Sequence, residues 1–230
     1  MELLFICNYL KKRILKTKIM LVDDHVLLRD ALASYLRSVE EFEIIGVASN
    51  GNESIQQLKI GTIPDLILLD LGMPKLGGYE TAKYVCAEFP QIKIVILTMF
   101  DSEISFLRLL KVGVKGFLKK DIAPIELRKA LKYIIDGGYY YSDKEMGRFT
   151  EILRNINDES DLLKKKMLSE IEIKFLQLTS SELTYKAIAD LMQMSPRKID
   201  HFRDHLFSKL DVKSRVGLAM FATRNGLVDL

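Results

Sequence analysis

Apolar positions in the first part of the chain fall into short unbroken runs rather than spaced stripes. Such runs, rich in Ile, Val and Leu, occupy residues 19–22, 43–48, 66–69, 92–97 and 116–118, and they read as strands buried on both faces. Between them lie stretches of helical period at 26–36, 54–60, 79–89, 104–112 and 124–135. Strand and helix alternate five times, which predicts an α/β domain with a five-stranded parallel sheet and helices on both sides. After Gly137 and Gly138 the alternation stops, and a mixed polar stretch with weak helical character at 147–154 follows. From Leu168 four helical segments succeed one another, at 170–178, 185–192, 196–210 and 215–223, with no strand candidate among them. The expected organisation is an N-terminal extension (1–17), an α/β domain (18–137), a linker (138–166) and a small all-α domain (167–230).

Bulk properties narrow this picture. A chain of 230 residues exceeds the usual single-domain length, and 48% hydrophobic with 28% charged residues excludes a disordered or fibrous class. The formal net charge is +3, and Lys11, Lys12, Arg13 and Lys16 against Glu2 account for all of it. Any contact with nucleic acid must therefore come from a local basic cluster rather than the global field. Lys164, Lys165 and Lys166 close the linker; solvated linker charge is the favoured reading, ahead of a DNA backbone contact. Cys7 and Cys86 show no metal-ligand or CxxC spacing, so free thiols in a reducing compartment, the cytoplasm, are expected. Residues 1–10 are apolar but too short to span a bilayer, and their basic residues follow the apolar run. An extra helix or unstructured extension is favoured over an interfacial anchor, and no membrane partner is expected.

In an open parallel sheet, ligands bind beyond the carboxyl ends of the strands, where the strand order reverses. The residues able to do chemistry cluster at those ends: Asp23 and Asp24 after the first strand, Asp70 after the third, Thr98 at the end of the fourth and Lys120 after the fifth. Three converging carboxylates repel one another unless a divalent cation is bound, and hard oxygen donors suit Mg²⁺. With that charge screened, Asp70 becomes a candidate nucleophile for a phosphoryl group, stabilised by a lysine and a hydroxyl. The plainer reading makes Asp23 or Asp24 an N-cap for the helix beginning near Val26, although one cap needs only one Asp.

These segments, Leu21-Val-Asp-Asp-His25, Leu69-Asp-Leu-Gly-Met-Pro74 with Gly78, Leu97-Thr98 and Gly116-Phe-Leu-Lys-Lys-Asp121, resemble the receiver domains of two-component response regulators over about residues 18–137. The resemblance implies a flavodoxin-like fold in which Asp70 accepts phosphate from a histidine kinase. It further implies that Asp24, Asp70 and the Gly72 carbonyl bind Mg²⁺, with Asp23 acting through water, and that Lys120 contacts the phosphoryl group. Lys120 is chosen over the adjacent Lys119 because similar receivers place the lysine immediately before Asp. Thr98 and Phe117 would form the switch, Thr98 swinging toward the phosphate and Phe117 turning inward.

In the C-terminal part, Ser195 and Pro196 have the cap and first-turn chemistry of a helix start, and the turn at 192–195 between two helices is helix-turn-helix punctuation. Ile199, Phe202, Leu206 and Leu210 share the inward face of the second helix, leaving Arg197, Lys198, His201 and Arg203 as candidate DNA donors. An ordinary charged helix face has the same composition. Segment order shifts the balance: Leu168-Ser-Glu-Ile-Glu172, Tyr185-Lys-Ala-Ile-Ala189, Met194-Ser195, Lys209-Leu-Asp-Val-Lys-Ser-Arg215 and Asn225-Gly-Leu-Val228 resemble the DNA-binding domain of NarL/LuxR-type regulators. The resemblance implies a four-helix domain that binds double-stranded DNA, with Lys186 touching its backbone, Lys213 or Arg215 bracing the second helix, and homodimerisation on phosphorylation. Where that family commonly has Val-Lys-Thr-His, this chain has Ile199-Asp-His-Phe202; Asp200 repels phosphate but can accept from cytosine N4.

The leading expectation is a phosphorylation-controlled transcription factor, not an enzyme. An aspartate-dependent phosphatase would normally show Asp-x-Asp at one strand end, which is absent. A receiver that works by protein contact without phosphorylation is the alternative, and the complete set of Asp23, Asp24, Asp70, Thr98 and Lys120 argues against it.

Overall fold

A computed structural model of the chain describes residues 16–99, 102–141, 146, 147, 150 and 168–228. Cys7 and most of the polar stretch after residue 141 lie outside the described residues. Two compact units divide the chain: one comprises Met1–Leu97, Val114–Gly116 and Asp121–Tyr140, the other Thr98–Gly113, Phe117–Lys120 and Tyr141–Leu230.

Six strands form one sheet, β1 (Thr17–Val22), β2 (Phe42–Ala48), β3 (Leu66–Leu69), β4 (Lys93–Thr98), β5 (Gly116–Lys119) and β6 (Tyr140–Tyr141), in the order β2-β1-β3-β4-β5-β6. The β1–β2, β1–β3 and β3–β4 pairs are parallel. Five strands were expected; the sixth, two residues long, is too short to leave a hydrophobic pattern. It joins the edge where the Tyr140 N–H donates to the Lys115 carbonyl at 3.0 Å.

Burial explains the apolar runs: Ile19 to Val22 of β1 and all four residues of β3 are at most 2% exposed, as central strands covered on both faces must be. The helices α1 (Val26–Ser38), α2 (Gly51–Lys59), α3 (Gly78–Glu88), α4 (Glu103–Val112) and α5 (Pro124–Ile135) separate the strands. In the first unit, Ala33 and Leu36 of α1, Leu58 of α2, Ala82 and Val85 of α3 and Leu127, Ala130, Leu131 and Ile134 of α5 belong to the buried core. Start chemistry is local: Asn50 caps α2 by accepting from the Glu53 N–H, and Pro124 opens α5. Cys86 is a free, half-buried thiol whose pKa burial raises.

The second unit contains α4 together with α6 (Glu170–Thr179), α7 (Tyr185–Leu191), α8 (Pro196–Leu210) and α9 (Arg215–Arg224). Ile173, Phe175, Leu176, Ile188, Ile199, Leu206 and Leu218 fill its core, with the Phe175 ring stacked on Tyr185 and edge-on to Phe202. Each of the last four helices begins at a side-chain cap, Ser169, Thr184, Ser195 and Ser214. Within the same unit Ile104 of α4 packs against the helical core, and the Ser102 hydroxyl donates to Asn225 Oδ1 at 2.9 Å. The Ser105 hydroxyl donates to the Asn225 carbonyl. Phe106 of α4 lies edge-on to Phe117, with ring centres 5.6 Å apart.

Among the described residues Glu172 is the one buried acidic side chain of the helical unit. Burial pushes its carboxyl up, but the Lys209 ammonium, with contacts at 2.7 and 2.9 Å, and the Ser169 N–H prevail and hold it below the ordinary glutamate value. A carboxyl with a depressed folded pKa contributes stability that is present above its unfolded value, about 4.3, and lost as pH falls through the folded value. Thermal melts of the full chain should therefore show the helical transition weakening as pH drops below about 4.3. Glu172→Gln, which removes the buried carboxylate that Lys209 contacts, should cost about 3 kcal/mol at neutral pH; an unchanged melt would show that the pair contributes nothing.

Candidate functional site

The acidic cluster is assembled by strand register. In the parallel β1–β3 pair Val22 lies opposite Leu69, so the residues that follow, Asp23 and Asp70, leave the sheet side by side. Neighbouring strands are about 4.8 Å apart, and the Asp70 N–H donates to the Val22 carbonyl at 2.9 Å. Both side chains are buried, at 5% and 4% exposure. One ligand atom from each of Asp23, Asp24, His25 and Asp70 lies within 4.8 Å of all the others.

The backbone around these side chains is held tightly. The His25 N–H donates to Asp23 Oδ1 at 2.8 Å and the Leu71 N–H to Asp70 Oδ1 at 2.8 Å. Arg29 donates from Nη1 to the Asp23 carbonyl at 3.1 Å and to the Ser49 hydroxyl at 2.8 Å. Beyond Asp70 the chain runs under the start of α3, and a Cβ on Gly78 would fall 2.0 Å from the Asp70 carbonyl oxygen and 2.7 Å from Leu71 Cα. Only glycine allows that approach. Neither Asp caps α1, because the N-cap residue is His25, whose own side chain makes no capping bond.

The fit of a divalent cation rests on one atom in particular. Asp24 Oδ1 is buried with no hydrogen-bond partner, although His25 Nδ1 lies 3.0 Å from it. A buried carboxylate oxygen that accepts no hydrogen bond, beside two further carboxylates, is costly without a cation. The donor set of oxygens suits Mg²⁺. The remaining expected residues have these places: Gly72 follows in the loop after β3, Thr98 is fully buried at the end of β4, Phe117 is buried in β5, and Lys120 is half-buried just after β5. The Lys120 N–H donates to the Thr98 carbonyl at 3.0 Å.

In the helical unit, Lys186, Arg197, Lys198, His201 and Lys213 are exposed. Ile199 and Leu206 are buried, and Phe202 and Leu210 pack on the core, so Arg197, Lys198 and His201 lie away from the core-facing side of α8. Two of the expected donors already have partners inside the fold. Arg203 pairs with Asp200 and Asp204, each at 2.9 Å, and lies over the Tyr185 ring. Arg215 donates to the Thr179 carbonyl at 3.0 Å and the Ser181 carbonyl at 2.6 Å, closing the end of α6. Sequence reasoning gave no role to His25 or Arg29; His25 adjoins the paired aspartates, which was the signal available.

Residues 19–132 match the response regulator receiver domain, and residues 166–222 match the bacterial regulatory proteins of the luxR family. The transcriptional regulatory protein LiaR of Bacillus subtilis is 30% identical over 92% of this chain and 99% of its own length. The chain belongs to the LuxR-type response regulators. It joins a receiver domain to a LuxR-type DNA-binding domain, as a transcription regulator rather than an enzyme. The response regulator GacA of Pseudomonas syringae pv. syringae is 29% identical over 92% of this chain and 98% of its own length. RcsB of Salmonella enterica serovar Typhimurium, in its structure bound to promoter rprA with the phosphomimetic BeF3⁻, covers 90% of this response regulator and 98% of its own chain. It superposes with a TM-score of 0.64 at 22% identity, a likeness of fold. Among the described residues no helix is long and apolar enough to cross a membrane.

Relieving the carboxylate cluster should be measurable. In the metal-free regulator, Asp24→Asn should raise stability by about 1 kcal/mol by removing one of three converging charges. It should also shrink the further rise in melting temperature on adding Mg²⁺. Paired melts in EDTA and in Mg²⁺ check both; a variant less stable in EDTA and equally responsive to Mg²⁺ would place the cation elsewhere.

Proposed function

We propose that Asp70 is the phosphoacceptor of this response regulator and that its acyl phosphate controls dimerisation and DNA binding by the helical domain. The observation that supports this most is the gathering of Asp23, Asp24 and Asp70 donor atoms within 4.8 Å at the carboxyl ends of adjacent parallel strands. Asp23, Asp24, Asp70 and the Gly72 carbonyl would hold Mg²⁺, Asp23 through water. When bound, the cation screens the carboxylates and draws charge from the phosphoryl oxygens. A carboxylate oxygen of Asp70 attacks the phosphorus of a kinase phosphohistidine. The P–N bond breaks, the imidazole leaves with the electron pair and takes up a proton, and an acyl phosphate remains on Asp70.

Thr98 and Lys120 complete the proposed site, the hydroxyl donating to one phosphoryl oxygen and the ammonium offsetting charge on another. Thr98 ends β4 and Lys120 follows β5, the strands next after β3 in the sheet order. Thr98 and Phe117 form the switch: Phe117 lies against Phe106 of α4, and α4 is bonded through Ser102 and Ser105 to Asn225 after α9. A phosphoryl group brings about −1.5 to −2 of charge, enough to bias a two-state element of this kind.

On DNA, Arg197, Lys198 and His201 of α8 would face the major groove while Lys186 and Lys213 meet phosphate. Arg203 and Arg215 act closer to home, Arg203 orienting Asp200 on the reading face and Arg215 bracing the domain. The receiver spans 18–137, the linker 138–166 and the DNA-binding domain 167–230, after an extension of 1–17; the family matches at 19–132 and 166–222 support these limits. The partners are a histidine kinase, double-stranded DNA and a second copy of the chain, and the setting is the cytoplasm.

The test is binding to a duplex selected from a random pool by the full chain, with and without acetyl phosphate and Mg²⁺, for wild type and Asp70→Ala. Wild type should bind at least tenfold tighter when phosphorylated, and the variant should not respond; equal binding in all four conditions overturns the reading. Asp200→Ala should strengthen binding at low salt, because it removes an exposed acid that repels phosphate from the reading face while Asp204 still pairs with Arg203. Unchanged affinity at low salt would place Asp200 away from the DNA.

A further inference from the structure

The basic face of α8 carries an acid that general attraction to phosphate does not call for. Asp200 stands among the exposed Arg197, Lys198 and His201 in the N-terminal part of the helix, the part that meets base edges when a helix-turn-helix docks in the major groove. Its side chain is 56% exposed, yet its carboxylate is held. The Arg203 fork divides its donors: Nε and Nη2 lie 3.0 and 2.9 Å from Asp204 Oδ1, and Nη1 donates to Asp200 Oδ1 at 2.9 Å. The guanidinium rests over the Tyr185 ring, 5.4 Å from its centre, and that ring is stacked on the fully buried Phe175. A line of contacts thus runs from the helical core through Tyr185 and Arg203 to one exposed carboxylate. A surface ion pair by itself adds little to stability, whereas a side chain already held in one geometry loses less entropy when it meets a ligand.

We propose that Asp200 is a specificity-determining residue: held in place by Arg203, its carboxylate accepts cytosine at one position of the DNA site and rejects the other three bases there. The inference deepens the reading of α8 as the helix that faces the major groove and rests on it. Edge chemistry decides the base. Arg203 engages Oδ1, and the second carboxylate oxygen, Oδ2, is the acceptor for a base. Cytosine presents the N4 amino donor, whereas guanine presents acceptors at N7 and O6 and thymine an acceptor at O4. Adenine has an N6 donor but sets the N7 acceptor beside it, against the carboxylate. An acceptor facing an acceptor leaves both desolvated and unpaired, which is costly. Selectivity therefore comes chiefly from rejection, and the contact with cytosine offsets the repulsion between the acid and the phosphates. Removing the acid then strengthens binding in general while erasing the choice of base.

The experiment selects duplexes from a random pool with the full chain, acetyl phosphate and Mg²⁺, then measures affinity for the selected duplex and for its three replacements at each position. Wild type is expected to select cytosine at one position and to lose about tenfold in affinity when that base pair is replaced. Asp200→Asn keeps the shape but adds an amide donor that pairs with adenine N7 and N6, so the preference at that position should move from cytosine to adenine, with circular dichroism unchanged. Asp200→Ala should bring the four duplexes to within about twofold of one another. Arg203→Gln should weaken the cytosine preference about threefold while the preferences at other positions persist, which a merely structural role would not do. Identical selected sequences for wild type and Asp200→Asn overturn the proposal, and a cytosine preference that Arg203→Gln leaves at full strength overturns the part assigned to Arg203. If Arg197→Ala and Lys198→Ala also leave affinity and selected sequence untouched, α8 does not face the groove, and the underlying reading fails with the inference.

Discussion

The parallel pairing of β1 with β3 is the constraint on which the rest depends. These two strands are buried along their whole shared length, and their register sets Val22 opposite Leu69. A one-residue slip would turn every side chain of a strand to the other face, so the burial of Ile19 to Val22 also determines where Asp23 and Asp70 emerge. The sheet core thereby holds together carboxylates that repel one another. Such crowding persists only because the surrounding structure is over-determined, through Arg29 on the Asp23 carbonyl and Gly78 against the Asp70 carbonyl.

The same economy appears in the helical unit, where charge is managed by pairing rather than by exposure. Lys209 and the Ser169 N–H keep Glu172 ionised in the core, and Arg215 closes the carbonyls at the end of α6. On α8 the two acids around Arg203 temper the basic face that Arg197, Lys198 and His201 present. Asp200 and Asp204 thereby lower the net positive charge of that face.

Much of this was legible from residue order. Alternating apolar runs and helical stretches marked every element of the sheet unit except β6, whose Tyr140 and Tyr141 are half-buried and too few to set a period. Pro124, Ser195 and Pro196 marked helix starts, and the helices begin there. The start of α1 at Val26 was read correctly, but its cap was not: the N-cap is His25, and neither Asp23 nor Asp24 caps the helix. The ion pairs of Arg203 were likewise hidden, since their value depends on Tyr185 of another helix lying beneath the guanidinium.

What the sequence determined by itself was the kind of chemistry and its address: strand ends bearing Asp23, Asp24, Asp70, Thr98 and Lys120, and a capped helix bearing a basic face. Those are local facts, carried by residue type and by a period of two or 3.6 along one segment. Tertiary structure alone decided the distances. Whether His25 Nδ1 stands 3.0 Å from Asp24 Oδ1, or Arg203 is spent on Asp200 and Asp204, depends on rotamers selected by neighbours remote in sequence or set by packing. No periodicity encodes those choices, because they follow from close packing in three dimensions rather than from order along the chain.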